Sequence, residues 1–130
     1  MSRQKSPEPR SFVIDGKYPL GPFAPDTPIY ALAAALFTAN LKAYMNGSLS
    51  IYGDEPSGIE QDPNMFSLVK KAEIGRAVLS RILNGVSYPD MTTVARLEAY
   101  TSADLWGTDL ERRQLAAGTY NPSQRSLWRG

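Results

Sequence analysis

Two arginines five residues apart carry the most distinctive chemistry in this chain. Arg76 and Arg81 lie within Gly75-Arg76-Ala77-Val78-Leu79-Ser80-Arg81-Ile82-Leu83. On a helix, Leu79, Ile82 and Leu83 share one side, while Arg76, Ala77, Ser80 and Arg81 look out from the other. A guanidinium near the start of an exposed helix can give a bidentate pair to O6 and N7 of guanine in the major groove, so Arg76 is the first candidate for a base contact. Arg81 stands about 140° further round, where it can meet a neighbouring base or hold the backbone.

Other chemistries have little to stand on. The chain has no histidine and no cysteine, which removes the usual general base, thiol nucleophiles, disulfides and zinc fingers. Ser80 has no histidine to activate it, and no acidic pair has the spacing of a metal cage. The expectation is a protein that is not an enzyme and needs no cofactor.

Short helices must position the two arginines. Leu68, Val69 and Ala72 form one apolar edge, Leu79, Ile82 and Leu83 a second, and Met91, Val94 and Leu97 a third, so three helices can close a small core. Only Glu73-Ile74-Gly75 separates the first two, which suits a helix-turn-helix. Asn84-Gly85 then supplies a stop from residues that tolerate positive φ.

The pattern Leu68-x-x-x-Ala72-x-Ile74-x-x-x-x-Leu79-Ser80-Arg81-Ile82-Leu83-Asn84-Gly85, followed by Pro89-Asp90-Met91-x-Thr93-Val94-x-Arg96-Leu97-Glu98, resembles the lambda-repressor-like family of phage repressors and bacterial regulators. The resemblance covers residues 64 to 106. It implies an all-α, lambda-repressor-like helical domain that binds DNA through its third helix, here Gly75 to Leu83, with a second helix beginning near Asn64. Base-reading positions fall on Arg76, Ala77 and Arg81, and phosphate-gripping positions on Asn64, Met65, Asn84, Ser87 and Tyr88. With Ser67, Gly75 and Ser80, these positions other than Met65 make up the candidate DNA-contact set. Two residues depart from the family pattern. Met65 stands where a glutamine often donates to phosphate, and Glu73 where the sharp turn usually has glycine. A left-handed glutamate costs about 1 kcal/mol, so strain or a shifted turn is expected at Glu73.

The remaining chain divides into three parts. Residues 1–27 form an expected flexible N-terminal arm. Its first eleven residues are polar and proline-bearing, and Asp15-Gly16 has the form of a small hairpin turn. Arg3, Lys5 and Arg10 there read as a solvated tail or as minor-groove contacts. The domain proper, 28–106, starts at the capping sequence Asp26-Thr27-Pro28 with a helix running to Gly47, and 48–63 is an acidic insertion loop. In 107–130, Thr108-Asp109-Leu110-Glu111 has capping-box form, opening a short helix with Leu110, Leu115 and Ala116 that ends at Gly118. A mobile tail carrying Trp128 is expected after it.

Formal net charge is +1, too small for a general attraction to nucleic acid. Locally, Lys70, Lys71, Arg76 and Arg81 outweigh Glu73, whereas Asp54, Glu55, Glu60 and Asp62 crowd the insertion. No apolar run approaches a membrane span, and residues 1–27 lack the apolar core of a secretory signal, so a cytoplasmic location is expected.

The resemblance thus implies a sequence-specific repressor of transcription whose partner is double-stranded DNA, with a homodimer on DNA left open. Ala95-Arg96-Leu97-Glu98-Ala99 followed by Ala103-Asp104-Leu105-Trp106 looks like actinobacterial regulators, which implies a phage immunity repressor that maintains lysogeny in a bacterial host. The alternatives are an antitoxin of the same fold that binds DNA and a toxin, and a protein-interaction module that has lost DNA binding.

Overall fold

The structure, a computed structural model, describes residues 7–15, 17–45 and 70–122. The described residues are all-α. A short 3-10 helix, Pro9–Phe12, precedes α1 (Ile29–Met45), α2 (Arg76–Leu83), α3 (Met91–Thr101) and α4 (Asp109–Ala117), and residues 70–72 are also helical. No strand forms among the described residues; Val13 and Phe23 form an isolated antiparallel bridge. No helix among them is long and apolar enough to cross a membrane.

Helix α1 begins just after Pro28, whose carbonyl accepts the amides of Ala31 and Leu32. The alanine and leucine run that follows favours helix and lets neighbours approach closely. Ala33, Ala34, Ala35, Leu36, Phe37, Thr38, Ala39, Asn40 and Leu41 are all buried, so α1 is a central helix enclosed on every side. It separates two cores.

The first core joins Phe37, Leu41 and Tyr44 of α1 to Ala72, Ile74, Leu79, Ile82, Leu83, Leu97 and Leu105. Each large apolar side chain enclosed there contributes about 1.5–3 kcal/mol relative to exposure. After α2 the chain reverses through two bonds, Gly85 N–H to the Ile82 carbonyl and Val86 N–H to the Arg81 carbonyl, the pattern of a Schellman stop. Gly85 takes the positive φ, 73°, that this stop requires, and Asn84 keeps φ −92°. Asp90 caps α3 by accepting the Thr93 amide at 2.7 Å. Buried Glu98 of α3 accepts the amides of Leu105 and Trp106 at 3.0 and 2.9 Å, which ties down the loop leading to α4.

The second core lies across α1. Phe23, Leu36, Ala39, Leu115 and Tyr120 are buried together, with Phe12, Val13, Tyr18 and Leu32 packed against them. The capping box forms as the sequence suggests: Thr108 Oγ1 accepts the Glu111 amide and Glu111 Oε1 accepts the Thr108 amide. Gly118 ends α4 at φ 80°.

Several expectations are corrected. Within the expected flexible arm, residues 7–11 are built into the body: Pro9 is buried, and the Arg10 amide donates to the Gly85 carbonyl at 3.1 Å. Gly16 of the expected hairpin turn lies outside the described residues; on either side of it Ile14 N–H bonds to Pro22 O and Ala24 N–H to Phe12 O, and Phe12, Val13 and Phe23 turn into the second core. The start of the expected mobile tail is docked, since Tyr120 is buried and its hydroxyl donates to Asn40 Oδ1 at 2.6 Å. Met91, expected on the third apolar edge, is 88% exposed, and Leu110 of the last helix is 62% exposed. Both sit in the first turn of their helices, beyond the reach of the elements their helices pack on. The 48–63 insertion, Asn64, Met65, Ser67, Leu68, Val69, Arg3, Lys5 and Trp128 lie outside the described residues.

Candidate nucleic-acid interface

Helix α2 is the element that matters for the arginine pair. Leu79 and Ile82 are fully buried and Leu83 nearly so, while Arg76, Ala77 and Arg81 are exposed and Ser80 is half-buried. Taken at 100° per residue from Arg76, the positions of Ala77, Ser80, Arg81 and Asn84 all fall within an arc of about 140°. Leu79, Ile82 and Leu83 fall outside that arc, between about 240° and 340°. One convex face of α2 therefore presents two guanidinium groups with only small or polar side chains between them.

The start of α2 is set by a sharp turn. Residues 70–72 are helical, Glu73 adopts φ 59°, Ile74 is buried, and Gly75 stands at the N-cap with φ −61° and ψ 138°. The left-handed glutamate expected from the sequence is present. Its carbonyl accepts Arg96 Nη1 at 2.8 Å, so α3 holds the turn from below. The helix is one residue shorter than the expected span 75–83, because Gly75 is its N-cap and lies outside its first turn.

The electrostatics are local. Lys70, Lys71, Arg76 and Arg81 are exposed together with Glu73, four cations against one acid. Neither Arg76 nor Arg81 forms an ion pair with another described residue, which leaves both guanidinium groups presented to solvent. An exposed, unneutralised arginine is the form in which counterions can be exchanged for phosphates.

Beyond α2 the candidate phosphate contacts divide. Asn84 is exposed, and its side-chain amide donates to Ser80 Oγ at 3.4 Å, a weak bond that aligns it with the outward arc. Ser87 is half-buried at the end of the turn. Tyr88 differs from the expectation of a free phosphate donor: its hydroxyl donates to the Pro7 carbonyl at 2.7 Å, and its ring meets Tyr30 edge-on at 5.5 Å between centroids. Burial raises the Tyr88 pKa, with the neighbouring Tyr30 adding to it, so the hydroxyl stays neutral. Of the ten candidates, Asn64 and Ser67 lie outside the described residues. The other eight are gathered on α2, its N-cap and the turn that follows.

The sequence reads Arg10 as part of a solvated tail or as a minor-groove contact, and gives Arg96 no part in the site. Arg10 is seated against the end of α2, where a Cβ on Gly85 would come within 2.8 Å of Arg10 Cβ. The readable signal was Pro9, which suits the first position of a helical turn. Nothing in the sequence indicated what that turn packs on.

A separate apolar groove of about 490 Å³ runs beside α3, lined by Met91, Val94, Ala95 and Trp106 with Glu98 and Asp104 at its edges. Both carboxylates there serve backbone amides, Glu98 those of Leu105 and Trp106 and Asp104 that of Gly107. None of the DNA-contact candidates lines this groove. No family model matches the sequence, and no curated protein or solved structure shows significant similarity to it.

Proposed function

We propose that this chain is a sequence-specific double-stranded DNA-binding protein that lays α2 in the major groove and represses transcription by occluding a promoter. The observation that carries the reading is the outward arc of α2. Arg76 and Arg81 flank Ala77 and Ser80 on a surface free of bulky side chains, on a helix anchored by Leu79, Ile82 and Leu83. A helix must protrude and lack bulk on its outer face for its side chains to reach base edges.

In this reading the lambda-repressor-like resemblance supplies the docking mode. Arg76 reads guanine near the start of the helix, Arg81 reads a neighbouring base or a phosphate, and Asn84 and Ser87 grip the backbone. A phage immunity repressor working in the bacterial cytoplasm is the biological role that fits this chemistry and the resemblance together. Selection of bound duplexes from a random pool tests the reading. An enriched motif containing a guanine step supports it, and no enrichment at any salt concentration contradicts it.

A further inference from the structure

We infer that Arg10 is a further DNA contact, a phosphate-binding guanidinium presented beside the end of α2 by the folded-back N-terminal segment. The inference rests on the DNA-binding reading and extends it to a residue 75 positions before Gly85.

Three observations carry it. First, the segment is fixed in place. Pro9 is buried under a 3-10 turn, the Arg10 amide donates to the Gly85 carbonyl at 3.1 Å, and the Pro7 carbonyl accepts the Tyr88 hydroxyl at 2.7 Å. Arg10 therefore stands at the turn 84–88, the segment to which the proposed function assigns the phosphate grip. Second, Gly85 leaves room for nothing else: a Cβ there would meet Arg10 Cβ at 2.8 Å and the Tyr18 ring at 2.8 and 2.9 Å. The absence of that side chain is what lets the Arg10 stem lie against the end of α2. Third, the guanidinium is available. The Arg10 side chain is 52% exposed, and its ion pair with Glu8 runs from Nε to Oε1 at 3.0 Å. That contact engages Nε alone, so the two terminal nitrogens, which suit a phosphate's paired oxygens, carry no ion pair with a described residue.

Glu8 shares the position and limits the gain, since its carboxylate must stay beside the guanidinium or yield it to phosphate. The pair gives the experiment a discriminating arm. Arg10→Gln, Arg10→Lys and Glu8→Gln would be titrated by anisotropy against the motif enriched from the random pool and against an unrelated duplex, across a series of salt concentrations, with thermal unfolding of each variant as the check on folding.

The expected result is that Arg10→Gln weakens binding to both duplexes alike, by about 5- to 10-fold. The slope of log affinity against log salt should become shallower by about 0.9. Arg10→Lys should retain most of the slope, Glu8→Gln should not weaken binding, and the melting temperatures should stay close to that of the wild type. Equal weakening by Arg10→Gln and Glu8→Gln would overturn the inference and make the pair a structural brace. An unchanged affinity and slope in Arg10→Gln, with wild type binding its motif, would overturn it and leave the α2 reading intact. Failure of the wild type to bind any duplex would overturn both.

Discussion

Arg96 Nη1 donates to the Glu73 carbonyl at 2.8 Å, joining α3 to the one turn residue ahead of α2 that holds a left-handed conformation, φ 59°. The bond fixes where α2 begins and hence the direction in which Arg76 projects. Glycine at position 73 would adopt the same conformation without the penalty. Glu73→Gly is therefore expected to stabilise the fold by up to about 1 kcal/mol, and Arg96→Ala to destabilise it by about 1 kcal/mol through the lost hydrogen bond. Urea denaturation measures both; a lower midpoint for Glu73→Gly would show that the turn carries no strain at that residue.

Gly85 is the second point at which backbone geometry governs the site. A Cβ there faces Arg10 Cβ and the Tyr18 ring, and φ is 73°. Gly85→Ala should cost more than about 2 kcal/mol, combining the left-handed penalty with overpacking against a buried surface. A midpoint within about 0.5 kcal/mol of wild type would mean that the segment around Arg10 is not packed on α2.

The C-terminal closure depends on a buried polar pair. Asn40 is fully buried on α1, giving its side-chain amide to the Leu105 carbonyl at 2.9 Å and accepting the Tyr120 hydroxyl at 2.6 Å. Tyr120→Phe leaves Asn40 Oδ1 without that donor, and a loss of about 1–3 kcal/mol is expected. A neutral substitution would place residue 120 outside the folded body.

Tyr18 gives the fold an alkaline limit. Burial pushes its pKa up to about 12 from the ordinary 10.0, against a smaller lowering by its hydrogen bond with Thr38. The phenol is thus harder to ionise folded than unfolded. Its contribution is fully present below pH 10 and is lost as pH rises toward 12, by up to about 2 kcal/mol. Denaturation midpoints for wild type and Tyr18→Phe at a series of pH values between 9 and 12 check this. Wild type should lose stability faster than the variant, and parallel curves would contradict it.

What the sequence made legible was local. The Thr108 capping box, the Gly118 stop, the stop at Gly85 and the strained Glu73 each depend on a few adjacent residues, and each is present. The outward positions of Arg76, Ala77 and Arg81 followed from period alone. Long-range packing was not legible. Nothing near Tyr120 in sequence points to Asn40, and nothing near Arg10 points to Gly85, because these contacts are set by how the two ends of the chain cover α1. Periodicity also assigned Met91 to an inner face without showing that a first-turn position lies beyond the core.

Base reading by α2 is tested most directly by comparing wild type with Arg76→Ala on the motif enriched from random DNA and on every single-base variant of it. Arg76→Ala is expected to lose about 1–3 kcal/mol on the enriched motif and to lose discrimination at one guanine position while keeping its preferences elsewhere. An Arg76→Ala protein with the full wild-type sequence preference would contradict it.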